Sequence, residues 1–91
     1  MALTWPDKDP DEVLDYMIDW TARLAAGETI ASASWSVDSG LTVDSFSHTD
    51  TATTIWLSDG THFKTAVIRC LVVTNQGRTM EERVDMNIRA T

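Results

Sequence analysis

Side-chain character alternates residue by residue over residues 79–90. Met80, Val84, Met86, Ile88 and Ala90 share one parity, broken only by Glu82, while Thr79, Glu81, Arg83, Asp85, Asn87 and Arg89 hold the other. Successive Cβ atoms of a strand point to opposite faces, so this pattern buries one face of a sheet and wets the other. One-sided burial is typical of antiparallel sheets. The same period recurs along most of the chain and sets the expectation of an all-β fold.

Residues 31–37 repeat the pattern, with Ala31, Ala33, Trp35 and Val37 facing inward against Ser32, Ser34 and Ser36, up to the turn tripeptide Asp38-Ser39-Gly40. Leu41 and Val43 open a further strand, with Phe46 its last buried residue across a bulge. Residues 52–57 form the next strand, and Ser58-Asp59-Gly60 supplies the positive φ that a tight hairpin needs. A long strand spans 63–74 with Ala66, Ile68, Cys70 and Val72 inward, and Asn75-Gln76-Gly77 turns the chain into the closing strand. Residues 10–26 fit two templates. Asp9, Pro10, Glu12 and Gly27 could bound a helix with Val13, Leu14, Met17, Ile18 and Leu24 as its stripe. Tyr16, Ile18, Trp20, Ala22 and Leu24 also share one strand face, and strand is preferred for 15–24 because the rest of the chain is strand. A short helical turn at 10–14 is compatible with either. Residues 1–14 read as an N-terminal arm and 15–91 as one domain. Short strands with turns every 8–15 residues point to a small β-sandwich.

At 91 residues the chain makes one domain with a thin core. Four tryptophans (Trp5, Trp20, Trp35 and Trp56) help fill it. No apolar run approaches the roughly 20 residues that cross a bilayer, and the opening residues have neither a basic leader nor an apolar stretch. Cys70 is alone, so an internal disulfide is impossible and synthesis in a reducing cytoplasm is expected. The net charge is −7 and uneven: residues 1–50 carry ten acids against Lys8 and Arg23, giving −8, and residues 51–91 four acids against five bases, giving +1. An acidic chain with no Lys/Arg stripe disfavours both nucleic acid and anionic membrane as partners.

Candidate chemistry is sparse. Asp7, Asp9 and Asp11 alternate as in a calcium-binding EF loop, but the sixth and twelfth positions, Glu12 and Ile18, break the motif. His48, His62 and Cys70 lack zinc-ligand spacing. Ser47, His48 and Asp50 have no nucleophile elbow around them, and adjacent strand residues point apart. The glycines at 27, 40, 60 and 77 belong to separate turns rather than to a phosphate loop. Neither enzyme activity nor a metal or cofactor is expected. What remains is apolar surface. Opposite the inward set of 63–74 stand Val67, Leu71 and Val73 around Arg69, more than a sandwich strand needs. Either another chain covers this face or the arm lies across it with Trp5 as its anchor.

Several segments stand out by their order and spacing: Lys8-Asp9-Pro10-Asp11-Glu12-Val13-Leu14-Asp15-Tyr16, Asp19-Trp20, Leu24, and Thr29-Ile30-Ala31-Ser32-Ala33-Ser34-Trp35. They continue as Gly40-Leu41-Thr42-Val43, Thr54-Ile55-Trp56-Leu57-Ser58, Gly60-Thr61, Thr74 and Gly77-Arg78-Thr79. Taken together, these segments resemble a family of small tailed-phage fibre–tail adaptors. The resemblance runs from about residue 5 to the end, and His62-Phe63-Lys64-Thr65-Ala66 departs from the Gly/Thr/Tyr-rich stretch usual there. It implies an immunoglobulin-like antiparallel β-sandwich of about seven strands. It also implies a non-enzymatic virion part, present in several copies and contacting other tail, neck or fibre proteins. Trp5, Val67, Arg69, Leu71 and Val73 are the expected interface. The rival readings are a capsid decoration or host-surface-binding module, using loops 38–40, 48–51 and 58–62, and a small regulatory or immunity-type protein.

Overall fold

The computed structural model describes residues 3–90. Seven strands run in chain order: β1 (Leu3–Thr4), β2 (Leu14–Asp19), β3 (Ile30–Ser36), β4 (Leu41–His48), β5 (Ala52–Asp59), β6 (Thr65–Thr74) and β7 (Thr79–Asn87). They form a four-stranded sheet in the order β1-β7-β6-β3 and a three-stranded sheet in the order β2-β5-β4. All neighbours are antiparallel except β1, which pairs parallel with β7. Ile18, Ile55 and Leu57 from one sheet, with Trp20 just past the end of β2, meet Ile68, Cys70, Val72, Val84 and Met86 from the other in a single buried core. The expected inward set of β6 therefore lies inside, as do Val84, Met86 and Ile88 of the closing segment, whereas Met80 is half-buried and Ala90, past the end of β7, is exposed. Glu82, the exception to the alternation, is half-buried and pairs with Arg23 at 2.6 Å.

Several local readings are corrected. β2 ends at Asp19 rather than running to Leu24. The Asp19 carboxylate accepts the Thr21 N–H at 2.9 Å and the Thr21 hydroxyl at 2.6 Å, which turns the chain into one 3₁₀ turn at Thr21–Arg23. Trp20 stays buried because its indole N–H donates to Thr53 Oγ1 at 3.0 Å. In β3 a bulge between Ile30 and Ser32 puts Ile30 in the core and Ala31 outside, and the expected parity resumes at Ala33. β4 has its expected bulge between Val43 and Ser45, and Phe46 pairs with Ile55 on the inner side. Phe46 is nevertheless 53% exposed, because β4 is an edge strand with little of the facing sheet over it.

Ser58-Asp59-Gly60 does not close a hairpin; it carries the chain from β5 in one sheet to β6 in the other. Asp59 (φ 63°) and Gly60 (φ 115°) are both left-handed. A Cβ on Gly60 would sit 2.9 Å from the Ile88 side chain, so the corner passes directly over the core. β6 begins at Thr65. Phe63, expected inside that strand, has φ 65° and is 76% exposed.

The segment read as an arm runs along the sheet edge. β1 registers Leu3 with Val84, Trp5 N–H donates to the Asp85 carbonyl at 3.1 Å, and Lys8 bridges Ile88. Lys8 is buried, and its ammonium donates to the carbonyls of Asp59 at 2.7 Å and Asp9 at 2.9 Å. Desolvation holds its pKa below the ordinary lysine value against the pull of Glu12, Asp59 and other acids. Asp9 and Glu12 close a single reciprocal turn: Asp9 N–H donates to Glu12 Oε1 at 2.8 Å and Glu12 N–H to the Asp9 carbonyl at 3.0 Å. At the other end of the sandwich the buried Glu28 carboxylate takes the Ala25 N–H, the Thr74 hydroxyl and two Arg78 donors.

Candidate docking surface

Side chains on the outer face of the four-stranded sheet follow from register. Along β6, Val67, Arg69, Leu71 and Val73 point out in one row, with Leu71 39% and Val73 37% exposed. On one flank the bulge-shifted β3 sets Ser32 beside Val73, Ser34 beside Leu71 and Ser36 beside Arg69. On the other, β7 sets Thr79, Glu81, Arg83 and Asp85 beside Val73, Leu71, Arg69 and Val67. Arg69 and Arg83 stand directly opposite, an arrangement that costs energy in isolation. Each is neutralised on the same face, Arg69 by Glu81 and Arg83 by Asp85, both at 3.1 Å. The face is therefore an aliphatic row between short serines and a charge-balanced ladder.

Trp5 lies elsewhere. Its ring stacks on Tyr16 (centroids 4.5 Å apart, planes 12° apart) and approaches Trp35 at 6.5 Å, half-buried against the core. Four of the five expected interface residues thus share one surface, and the fifth ties the two sheets together from inside. The aliphatic row is not covered by Trp5. Within this aromatic cluster Tyr16 Oη and Trp35 Nε1 are buried without a hydrogen-bond partner among the described residues. Burial, reinforced by Glu12 and Asp15, pushes the Tyr16 phenol up to about 12.

The rest of the reactive inventory is dispersed. Burial pushes the Cys70 thiol up to about 11, and its neighbour is the Thr53 hydroxyl at 3.5 Å. His62 accepts the Ala90 N–H at 2.9 Å, and His48 lies on exposed surface. Among the described residues no three His, Cys, Asp or Glu side chains converge on a point where a metal ion could sit. Sequence reasoning missed the burial of Lys8, the Glu28–Arg78 pair and the exposure of Phe63. The first two join residues about fifty apart, and no local pattern marks them.

The fold is thus a two-sheet β domain that carries a charge-balanced aliphatic row on one outer face. The chain belongs to the family described as podophage GP4 fiber-tail adaptor protein gp77, whose model matches residues 8–87. It is accordingly a phage structural adaptor, a component of the virion associated with tail and fibre proteins. No curated protein matches the chain.

Proposed function

We infer that the chain is a non-enzymatic adaptor that docks through the outer face of its four-stranded sheet onto a neighbouring tail, neck or fibre protein, in several copies per particle. The observation that carries this reading is the row Val67, Leu71 and Val73 outside the core, with Leu71 and Val73 left in solvent and Val67 half-buried. Arg69 orients the contact from within the row, and Trp5 serves it indirectly by packing the N-terminal segment against Tyr16 and Trp35. The strand order supports reading the fold as of immunoglobulin type: β2-β5-β4 faces β3-β6-β7, and the first strand runs parallel to the last, as that Greek key would have it. Trp35 and Cys70 sit in register on β3 and β6, where immunoglobulin domains place their core tryptophan and second cysteine.

Assembly in the host cytoplasm fits the unpaired Cys70, and the acidic surface fits protein rather than nucleic-acid or membrane partners. The test is Leu71→Asp with Val73→Asp: particles should lose the protein while the isolated domain keeps its melting temperature. Unchanged incorporation and solubility would sink the docking face. Host-surface binding finds one supporting feature, the exposed Phe63 beside the 58–62 loop. Binding of the isolated domain to host cells is its signature.

A further inference from the structure

Four strands form the edges of the two sheets: β1 and β3 in one, β2 and β4 in the other. An edge offers a row of unpaired backbone N–H and C=O groups, and soluble proteins blunt it with brevity, charge, proline or a bulge. Three of these edges carry such a device. β1 is two residues long and closely followed by Pro6, β2 carries Asp15 and Asp19, and β4 is broken mid-strand by a bulge at Asp44. β3 is different. Its bulge lies at its start, where Ile30 N–H turns to the Asp50 carbonyl at 2.9 Å. Ser32, Ala33, Ser34, Trp35 and Ser36 then run in unbroken register, without charge or proline. Antiparallel geometry aims the backbone groups of every second residue away from β6. Among the described residues, no backbone bond of 31–36 leaves the β3–β6 ladder.

Beside this edge lies a depression of about 200 Å³ lined by Ser34, Trp35, Ser36, Arg69, Leu71 and Glu81. The serines are too short to cover the flank of Leu71. The space is smaller than a typical small-molecule site and suits one amino-acid side chain.

We propose that β3 accepts an added strand: an extended, uncharged segment of a neighbouring virion protein that pairs along residues 32–36 and seats one bulky apolar side chain against Leu71. Backbone pairing supplies affinity and the depression supplies selectivity. A charged segment is disfavoured, because Arg69 and Glu81 already satisfy each other and β3 has no counter-charge. A second copy's β3 fits poorly, since it would set serine against serine and leave the depression empty. That the donor is a virion protein rests on the adaptor reading; that β3 takes a strand does not.

Hydrogen exchange on the purified chain and on assembled particles reads these backbone groups directly. Alternate amides within 32–36 should become protected on assembly by at least ~10-fold. Ser34→Lys with Ser36→Lys, both on the wet face, should reduce incorporation at least ~10-fold while leaving the melting temperature within about 2 °C. If those lysines disturb folding, exchange of the unaltered protein decides alone. Open β3 amides in assembled particles overturn the proposal. So does protection already present in a purified dimer, which would make the second copy the occupant. If Leu71→Asp with Val73→Asp blocks incorporation while the β3 amides stay open and the lysine pair incorporates normally, strand addition falls and face docking stands. If no variant alters incorporation and the amides stay open, both fall.

Discussion

The strands of the three-stranded sheet carry Asp15, Asp19, Asp44 and Asp59 and no lysine or arginine, whereas those of the four-stranded sheet set Glu81, Glu82 and Asp85 against Arg69 and Arg83. Both sheets leave large apolar side chains outside: Met17 and Trp56 on the first, Leu71 and Val73 on the second. The settings differ. Trp56 lies directly opposite Asp15, and Met17 sits between Asp15 and Asp19 along the strand, so covering either means desolvating carboxylates that lack a cationic partner on their own sheet. Leu71 and Val73 lie beside serines, a threonine and charges already paired, so covering them removes apolar area at little electrostatic cost. On the proposed reading, the charge balance around exposed apolar area, rather than the area alone, separates the docking face from the other sheet.

The contrast is broken most directly by putting charge on each face in turn. Leu71→Asp with Val73→Asp should lower incorporation into particles by at least ~100-fold, whereas Met17→Asp with Trp56→Asp should change it by less than ~3-fold. Equal losses would mean that the faces do not differ in use. The sheets are joined inside, and Lys8→Ala tests that join, since it removes a buried stem and orphans the Asp59 carbonyl. It should cost about 2–4 kcal/mol in denaturant unfolding. Trp5→Ala, which takes one ring from a half-buried stack, should cost about 2–3 kcal/mol in the same measurement. A loss near zero would show that Trp5 is free for another subunit.

Acid should act through Glu28. Its carboxyl is held below the ordinary 4.5 chiefly by the Ala25 N–H, then by Thr74 and Arg78. The stability it contributes is complete above 4.5 and drains away as pH falls through the lower folded value, a dependence that Glu28→Gln should flatten in melts from pH 6 to pH 2. The smallest signal is optical. Tyr16 is the one tyrosine, so alkaline difference absorbance should show a phenol titrating near 12, falling toward 10 in Trp5→Ala.

Alternation made the sandwich legible because parity is a local rule: Ala66, Ile68, Cys70 and Val72 lie where it puts them. It failed where one residue is added or a sheet ends. The Ile30/Ser32 bulge exchanges Ala31 for Ile30, and Phe46 keeps its parity but lacks a facing layer. Turn chemistry located Asp59 and Gly60 but could not say which sheet the chain enters next, since positive φ serves a hairpin and a corner alike. The outward aliphatic row of β6 was legible as surplus, a strand greasy on both faces. Its serine flank, its paired arginines and the open edge of β3 were not, because each depends on which strands become neighbours.

The parallel pairing of β1 with β7 has a mechanical consequence. Leu3 lies beside Val84 and Lys8 beside Ile88, so tension entering at Leu3 and leaving past Ala90 pulls the first and last strands along their length in opposite directions. The bonds of Trp5 to Asp85, Lys8 to Asn87 and Arg89 to Lys8 then lie across the pull and must rupture together rather than unzip one by one. A domain pulled from these two ends resists in shear, the stiffest direction a sheet has.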